Sequence, residues 1–172
     1  MNATLETMDG RPTLRFERRL AHPAEKVWKA ITDPAELTHW FPQDLVGTFA
    51  PGEKLRFAFR GERPVLDGEP IPDFTGEVLE IDPPRLLAYT WGEDTLRFTL
   101  TPDGDGCLLV FTDTMADRGK SARDGAGWHV CLLALDARLD GTPKPAGNRW
   151  KEYYDAYAES FGPEAASAPL PG

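Results

Sequence analysis

The stretch "RFERRLAHPAEKVWKAITDPAELTHWFP", residues 15–42, decides how the rest of the chain is read. It begins as a strand, because Leu14, Phe16, Arg18 and Leu20 share one side of the segment Thr13–Ala21 while Arg15, Glu17 and Arg19 share the other. Pro23 then opens "PAEKVWKAIT", a position where a proline costs no internal hydrogen bond. Val27, Trp28 and Ile31 fall at helical spacing within it. Asp33-Pro34 ends that helix and starts a second over "AELTHWF", with Asp33 as N-cap. Two helices this short hold only by burying large side chains, and Trp28, Trp40 and Phe41 supply them.

Beyond this stretch, up to about Thr114, the pattern is strands and turns. "EKLRFAFRG" puts Leu55, Phe57 and Phe59 on one face. "FTGEVLEIDPP" and "RLLAYTWG" follow across an Asp82-Pro83-Pro84 turn. "TLRFTLTPDGDGCLLVFTDT" reads as a hairpin, with Leu96, Phe98 and Leu100 alternating out and Leu109 and Phe111 alternating back. Connections this short make an antiparallel meander. The Pro- and Gly-dense "GERPVLDGEPIPD" (61–73) is either a loop over a cavity mouth or a long hairpin connection.

A helix is expected over Ser121–Asp140, about 30 Å long, with Trp128, Cys131, Leu132, Leu135 and Leu139 on one face and His129, Asp136 and Asp140 on another. Gly125 and Gly127 weaken its first turns. A terminal helix over 149–161 carries Trp150, Tyr154, Tyr157 and Phe161 as a stripe, which either packs on its own domain or mediates a homodimer. Residues 1–12 read as a flexible leader, 13–161 as one domain and 162–172 as a flexible tail.

The net charge of −9 argues against a nucleic-acid partner. No run approaches the roughly 18 apolar residues of a membrane span, and no signal peptide is apparent, so the expected location is cytoplasmic without membrane insertion. Cys107 and Cys131 lie far apart and read as reduced, buried residues.

Three segments, "PAEKVWKAITDPAELTHWF" (23–41), "GEVLEIDPPRLLAYTW" (76–91) and "GWHVCLLALDARLDG" (127–141), resemble the SRPBCC superfamily (START and Bet v 1-like), specifically its branch named for the activator of heat-shock protein 90 ATPase homologue. The resemblance implies an α+β helix-grip fold: a curved antiparallel sheet of six to seven strands around a long helix, with two short helices after the first strand and an extra terminal helix. It also implies a hydrophobic cavity between sheet and helix, filled in different members by lipids, polyketides, plant-type hormones or nothing known. One departure stands at the last strand, which in such proteins often ends "LTH" and here reads "FTDT", placing Asp113 where histidine is common. The eukaryotic chaperone activator resembles this chain only in its C-terminal part, and its chaperone-contacting domain is expected to have no counterpart here.

In that fold the candidate cavity residues are Phe57, Phe59, Phe74, Trp91, Phe98 and Phe111 on the sheet, Trp128, Leu132 and Leu135 on the long helix, and Trp28, Trp40 and Phe41 as plugs. The alternative is that they pack together at ordinary interior density. His22 and His39 read as surface residues, and His129 as an exposed or hydrogen-bonded residue or a ligand contact. Glu77, Glu80 and Asp113 are expected to face water unless strand register turns one inward, where a buried carboxylate becomes a general-base candidate. His129 and Asp113 are therefore the weak catalytic candidates. No His pair has metal-ligand spacing, and GxSxG, phosphate-loop and dinucleotide fingerprints are absent from the sequence, so neither metal nor cofactor is expected. The leading expectation is a non-catalytic domain binding a hydrophobic small molecule. A polyketide cyclase/aromatase-type enzyme is the second reading and a chaperone-associated protein the third.

Overall fold

The computed structural model describes residues 2–66 and 68–170. Eight strands form one antiparallel sheet: β1 (Thr4–Met8), β2 (Arg11–Leu20), β3 (Asp44–Val46), β4 (Lys54–Ala58), β7 (Phe74–Asp82), β8 (Leu86–Trp91), β9 (Asp94–Asp103) and β10 (Gly106–Thr114), in the order β1-β2-β10-β9-β8-β7-β4-β3. Helices α1 (Ala24–Thr32) and α2 (Pro34–Leu37) follow β2, and the 20-residue α3 (Ser121–Asp140) follows the sheet. The helix-grip arrangement is the one expected, with one strand more than the six to seven anticipated.

Two of the eight strands, β3 and β1, are not among those read from the sequence, and β1 lies in the expected leader. Asp9 and Gly10 both take positive φ (50° and 77°), so a two-residue turn folds Thr4–Met8 back onto β2, pairing Met8 with Arg11 and Thr4 with Arg15. The tail is also tied down. A 3₁₀ turn over Pro163–Ala166 buries Ala165, and the Ala168 N–H donates to Gly119 O at 3.0 Å. Met1, Pro171 and Gly172 of those end segments lie outside the described residues.

Asp33 caps α2 by accepting from the Ala35 N–H at 2.9 Å, as its sequence position predicts. Trp40 lies under both short helices, its indole N–H donating to Ala30 O at 2.8 Å. Trp28 is different: α1 buries Ala24, Val27, Ala30 and Ile31, leaving Trp28 half-buried on its flank. Gly125 does not shorten α3. It admits α4 (Trp150–Phe161), since a Cβ there would stand 3.3 Å from Tyr157 Cδ2.

Sheet and α3 close on each other through rings. Phe98 and Phe111 lie 4.7 Å apart, Phe111 and Trp128 4.9 Å, Phe41 and Trp128 5.7 Å, and Phe41 and Phe57 6.1 Å. Leu132 and Leu135 are fully buried beside them. The middle of the grip is thus packed as an ordinary interior.

Where β7 crosses β8 the backbones come unusually close: a Cβ on Gly76 would sit 1.8 Å from Thr90 O. Gly76→Ala must push the strands apart, and we expect it to cost about 3 kcal/mol, the upper end for overpacking. Urea denaturation checks this, and a variant as stable as the parent would show that the strands are not pinned there.

Candidate functional site

Open space is found at one margin of the grip. A cleft of about 530 Å³ runs between Phe59, Phe74 and Trp91 on the sheet side and Pro64, Leu66 and Ile71 on the facing hairpin, and Asp94, Lys120, Arg123 and Asp124 also line it. The hairpin is β5 (Val65–Leu66) paired with β6 (Glu69–Pro70), held at its base by Ile71 N–H to Pro64 O (2.8 Å) and by Arg63 to Asp73 (3.2 Å). The Pro- and Gly-dense segment is therefore both things expected of it, a hairpin connection and the wall of an opening; its Asp67 lies outside the described residues. A smaller hollow of about 190 Å³ shares Trp91, Arg123 and Asp124 and reaches Trp128 and Trp150.

Trp91 is held in place on both sides. Its ring lies 5.3 Å from Phe74 and 5.2 Å from Trp128, and its indole N–H donates to Gln43 Oε1 at 3.1 Å. An aromatic face is thus presented at the cleft already oriented.

Beneath it lies a charged cluster. One carboxylate oxygen each from Asp94, Asp113 and Asp124 lies within 4.8 Å of the others. The Lys120 ammonium is bonded to Asp94 and stands 3.7 Å from Asp124 Oδ2, so the cluster contains its own cation. Asp94 also accepts from the Ala116 N–H (2.9 Å), and Asp124 accepts from Arg123 Nε (2.8 Å). Asp113 is fully buried and accepts from the Trp128 indole N–H at 2.8 Å.

Two oxygens, Asp113 Oδ1 and Asp124 Oδ2, are buried without a hydrogen-bond partner. Burial, then the negative charges of Asp124 and Asp94, push the Asp113 carboxyl well above the usual carboxylate range. Burial also raises Asp124, against the pull of Arg123 and Lys120. Burial works against the charge on Lys120, but Asp124, Asp94 and Asp113 together raise it. The neutral form is thus favoured most strongly at Asp113, while Asp124 is the carboxylate that lines the cleft.

The expectation that strand carboxylates face water is met by Glu77, paired with Lys54, and Glu80, which accepts from Arg97 at 2.7 Å. Asp113 is the exception: it continues the inward alternation of Leu109 and Phe111.

His129 has a different setting and is not brought to Asp113. It is buried between α3 and α4, stacked 3.9 Å from Tyr153, with Nδ1 2.8 Å from the Tyr157 hydroxyl, which itself accepts from the Ala3 N–H. Burial first, with Arg18 and Arg149, pulls its pKa down to about 4. This histidine fastens the terminal helix and lines neither hollow. His22 bonds Asp140 (2.7 Å), and His39 is exposed.

Of the twelve residues expected around a cavity, Phe59, Phe74, Trp91 and Trp128 meet the two joined hollows. Trp40, Phe41, Phe57, Phe98, Phe111, Leu132 and Leu135 are packed in the core. Trp28 borders a separate groove with Phe49, Ile81 and Pro83. Sequence reasoning missed Asp94, Lys120, Arg123 and Asp124. Two of them carried a signal: Asp94 precedes Leu96, Phe98 and Leu100 in inward alternation, and Asp124 lies one helical turn before Trp128.

Residues 21–140 match the family model described as activator of Hsp90 ATPase homolog 1-like protein. No curated protein matches the chain. Among solved structures, CalU16 from Micromonospora echinospora is 25% identical with a TM-score of 0.69, covering 91% of this chain and 94% of its own. The protein encoded by gene BPP1335 from Bordetella parapertussis is 28% identical with a TM-score of 0.67, covering 92% and 95%. EF2215 from Enterococcus faecalis is similar in fold, with a TM-score of 0.70 at 20% identity over 92% and 90% of the two chains.

Two pH effects follow. A raised Asp113 contributes stability that is full below its unfolded value, near pH 4, and is lost as pH rises toward its folded value. Asp113→Asn keeps an acceptor for Trp128 and a donor for Asp124, so it should flatten that decline while leaving stability at low pH nearly unchanged. Urea titrations from pH 4 to 8 measure it, and an unchanged slope would mean that Asp113 is ionised in the fold. For His129 the sign is opposite, since its contribution is full above about pH 6.5 and lost as pH falls toward about 4. Its ring signals in NMR should stay those of neutral imidazole down to about pH 5.

Proposed function

The chain belongs to the family of activator of Hsp90 ATPase homolog 1-like proteins, within the SRPBCC superfamily, and on that premise we propose that it is a small-molecule-binding domain whose ligand is apolar and aromatic and lies in the cleft between Trp91 and the β5–β6 hairpin. The observation that carries this reading is the cleft itself. Its volume of about 530 Å³ falls within the range of about 300–1,000 Å³ usual for ligand sites. It also combines apolar walls with a small number of charged groups at one end, the composition expected where shape supplies affinity and polarity supplies orientation.

The aromatic wall selects the ligand class. Phe59, Phe74 and Trp91 offer ring faces and edges to a planar guest, and Trp91 pays little ordering cost because Gln43 and Trp128 already hold it. A long flexible acyl chain would gain less there, since the space between sheet and α3 that could thread it is occupied by Phe98, Phe111 and Trp128. The domain acts in this reading by holding its ligand. The cluster at Asp113 favours a second reading, an enzyme of the cyclase/aromatase type in which an acid and a base at the cleft floor move protons on a held chain.

Among the described residues no helix is long and apolar enough to cross a membrane. Of the α4 stripe, Tyr157 packs on His129 of α3 and Phe161 stacks on Tyr157, with Trp150 and Tyr154 half-buried against the core; Tyr153, outside the stripe, stacks on His129.

A bound planar probe raises the melting temperature in proportion to its affinity. We expect 2-methylnaphthalene to stabilise the protein, palmitate not to, and Trp91→Ala to weaken the naphthalene about tenfold or more. Equal affinity of the parent and Trp91→Ala for this probe would place the binding site elsewhere.

A further inference from the structure

The charged end of the cleft has a polarity that apolar contacts do not use. Asp124 is nine-tenths buried, lines both hollows, and has its Oδ1 shared with Arg123 and its Oδ2 directed into a buried setting without a protein donor. Asp113 behind it is wholly buried, with one oxygen fixed by Trp128 and the other unpartnered. An isolated carboxylate so placed would be too costly to keep ionised. Lys120 at 3.7 Å and Arg123 at 2.8 Å offset that cost, and burial favours the neutral form of Asp113 behind it, so Asp124 is the carboxylate left facing the ligand space. Lys120 and Arg123 stand on either side, so charge that developed on a ligand oxygen would also meet cations.

We infer that the Asp124 carboxylate, supported from behind by Asp113, is a hydrogen-bond acceptor for the ligand, and that the ligand class is a planar aromatic bearing an acidic hydroxyl, a phenol or an enol. The inference rests on the cleft being the binding site. A ring lying against Trp91 and Phe74 turns its hydroxyl toward Asp124, Lys120 and Arg123, since Pro64, Leu66, Ile71 and Phe59 are apolar. Of the other polar lining residues, Gln43 already accepts from Trp91 through Oε1 and Glu93 is exposed to water. The hydroxyl proton is shared with Asp124, and the hydroxyl oxygen accepts from Lys120 or Arg123. No bond to carbon is made or broken. The three acids are balanced by Lys120, Arg123 and one proton, which leaves the site selective for a neutral molecule that can give up part of a proton. A carboxylic acid would arrive as an anion and be repelled by Asp94 and Asp124, and an ether or ketone has no proton to offer.

Three probes on one naphthalene frame decide it on the intact chain: 2-naphthol, which donates and accepts; 2-methoxynaphthalene, which only accepts; and 2-methylnaphthalene, the isostere of 2-naphthol that does neither. Affinities are read by quenching of tryptophan fluorescence and by melting temperature. The expected result is that 2-naphthol binds at least about tenfold more tightly than either of the others, the size expected for a hydrogen bond to a charged acceptor. Asp124→Asn should reduce that preference to within about threefold while still binding 2-methylnaphthalene, which shows that the cleft is intact. Asp124→Ser serves the same purpose if asparagine disturbs the ion pairs, and Asp105→Asn, an exposed charge on the β9–β10 turn, controls for net charge. Equal affinity for 2-naphthol and 2-methylnaphthalene would overturn the inference and leave the binding reading standing. Equal affinity for 2-naphthol and 2-methoxynaphthalene would do the same, assigning the oxygen to the cations. A preference that survives in both Asp124 variants would also overturn it. Failure of all three probes to bind would remove the binding reading and the inference together.

Discussion

The structure turns on one hydrogen bond, from the Trp128 indole to the buried Asp113 carboxyl at 2.8 Å. It ties the long helix to the floor of the sheet, and it sits where core and cleft meet. On one side of Trp128 are Phe111 and Phe41; on the other is Trp91. Inside the chain this bond orients α3 on β10, because the indole cannot rotate without leaving Asp113 with no donor. Outward, it holds Asp113 where its second oxygen can face Asp124. A side chain chosen only for packing would supply the ring contacts but not the second function. The residue pair therefore links how the helix is seated to how the cleft is charged.

Much of this architecture is legible in the sequence, for physical reasons that differ by element. The Ser121–Asp140 helix can be read from its apolar spacing, and its glycines do not break it because one is needed for Tyr157 to approach. The short helices can be read from Pro23 and Asp33, since capping is a local property. β1 was equally readable in principle: Asp9-Gly10 is a strong two-residue turn signal, but Thr4–Met8 is largely exposed on both faces and so lacks the alternation that marks a strand. The cleft was not readable to the same degree. An apolar alternation on a strand says that a face is buried and does not say against what. Phe57 and Phe74 are close in the sheet, with ring centroids 5.3 Å apart, yet one is core and the other lines the opening. That distinction is made by the hairpin at 65–70, whose seat depends on long-range packing. The acid cluster is intermediate. Asp94, Asp113 and Asp124 each occupy an inward position by periodicity, but their convergence needs the ends of two strands and the first turn of α3 to meet.

The two buried titratable groups illustrate how burial alone does not assign a role. Burial pushes both Asp113 and His129 toward their neutral forms, raising the carboxyl and lowering the imidazole. The histidine's neutrality is spent within the fold: its Nδ1 takes the Tyr157 hydroxyl and its ring stacks on Tyr153, so it has no outlet to the ligand space. Asp113 has one oxygen in use and one directed among other acids. A neutral carboxyl is a donor, which an ionised one is not, so desolvation here lessens the repulsion between Asp113 and Asp124. The difference between the two lies in what surrounds the unfilled hydrogen-bonding capacity rather than in the size of either shift.

The position of the cleft bears on how one fold can serve different ligands. If the guest occupied the centre of the grip, every change of ligand would require repacking Phe98, Phe111 and Trp128 together, at a cost of several kcal/mol for each large ring displaced. At the margin the demands separate. The core keeps the sheet curved and α3 seated whatever is bound, while the β5–β6 hairpin contributes Pro64, Leu66 and Ile71 through a connection whose pairing is confined to two residues on each strand. Changes of length or sequence there alter the size and shape of the opening without touching the interior. The charged floor stays with the core, because Asp113 is fixed by Trp128 and Asp94 by the Ala116 backbone. In the proposed reading, shape selection resides on a replaceable wall and the charged groups on a fixed one.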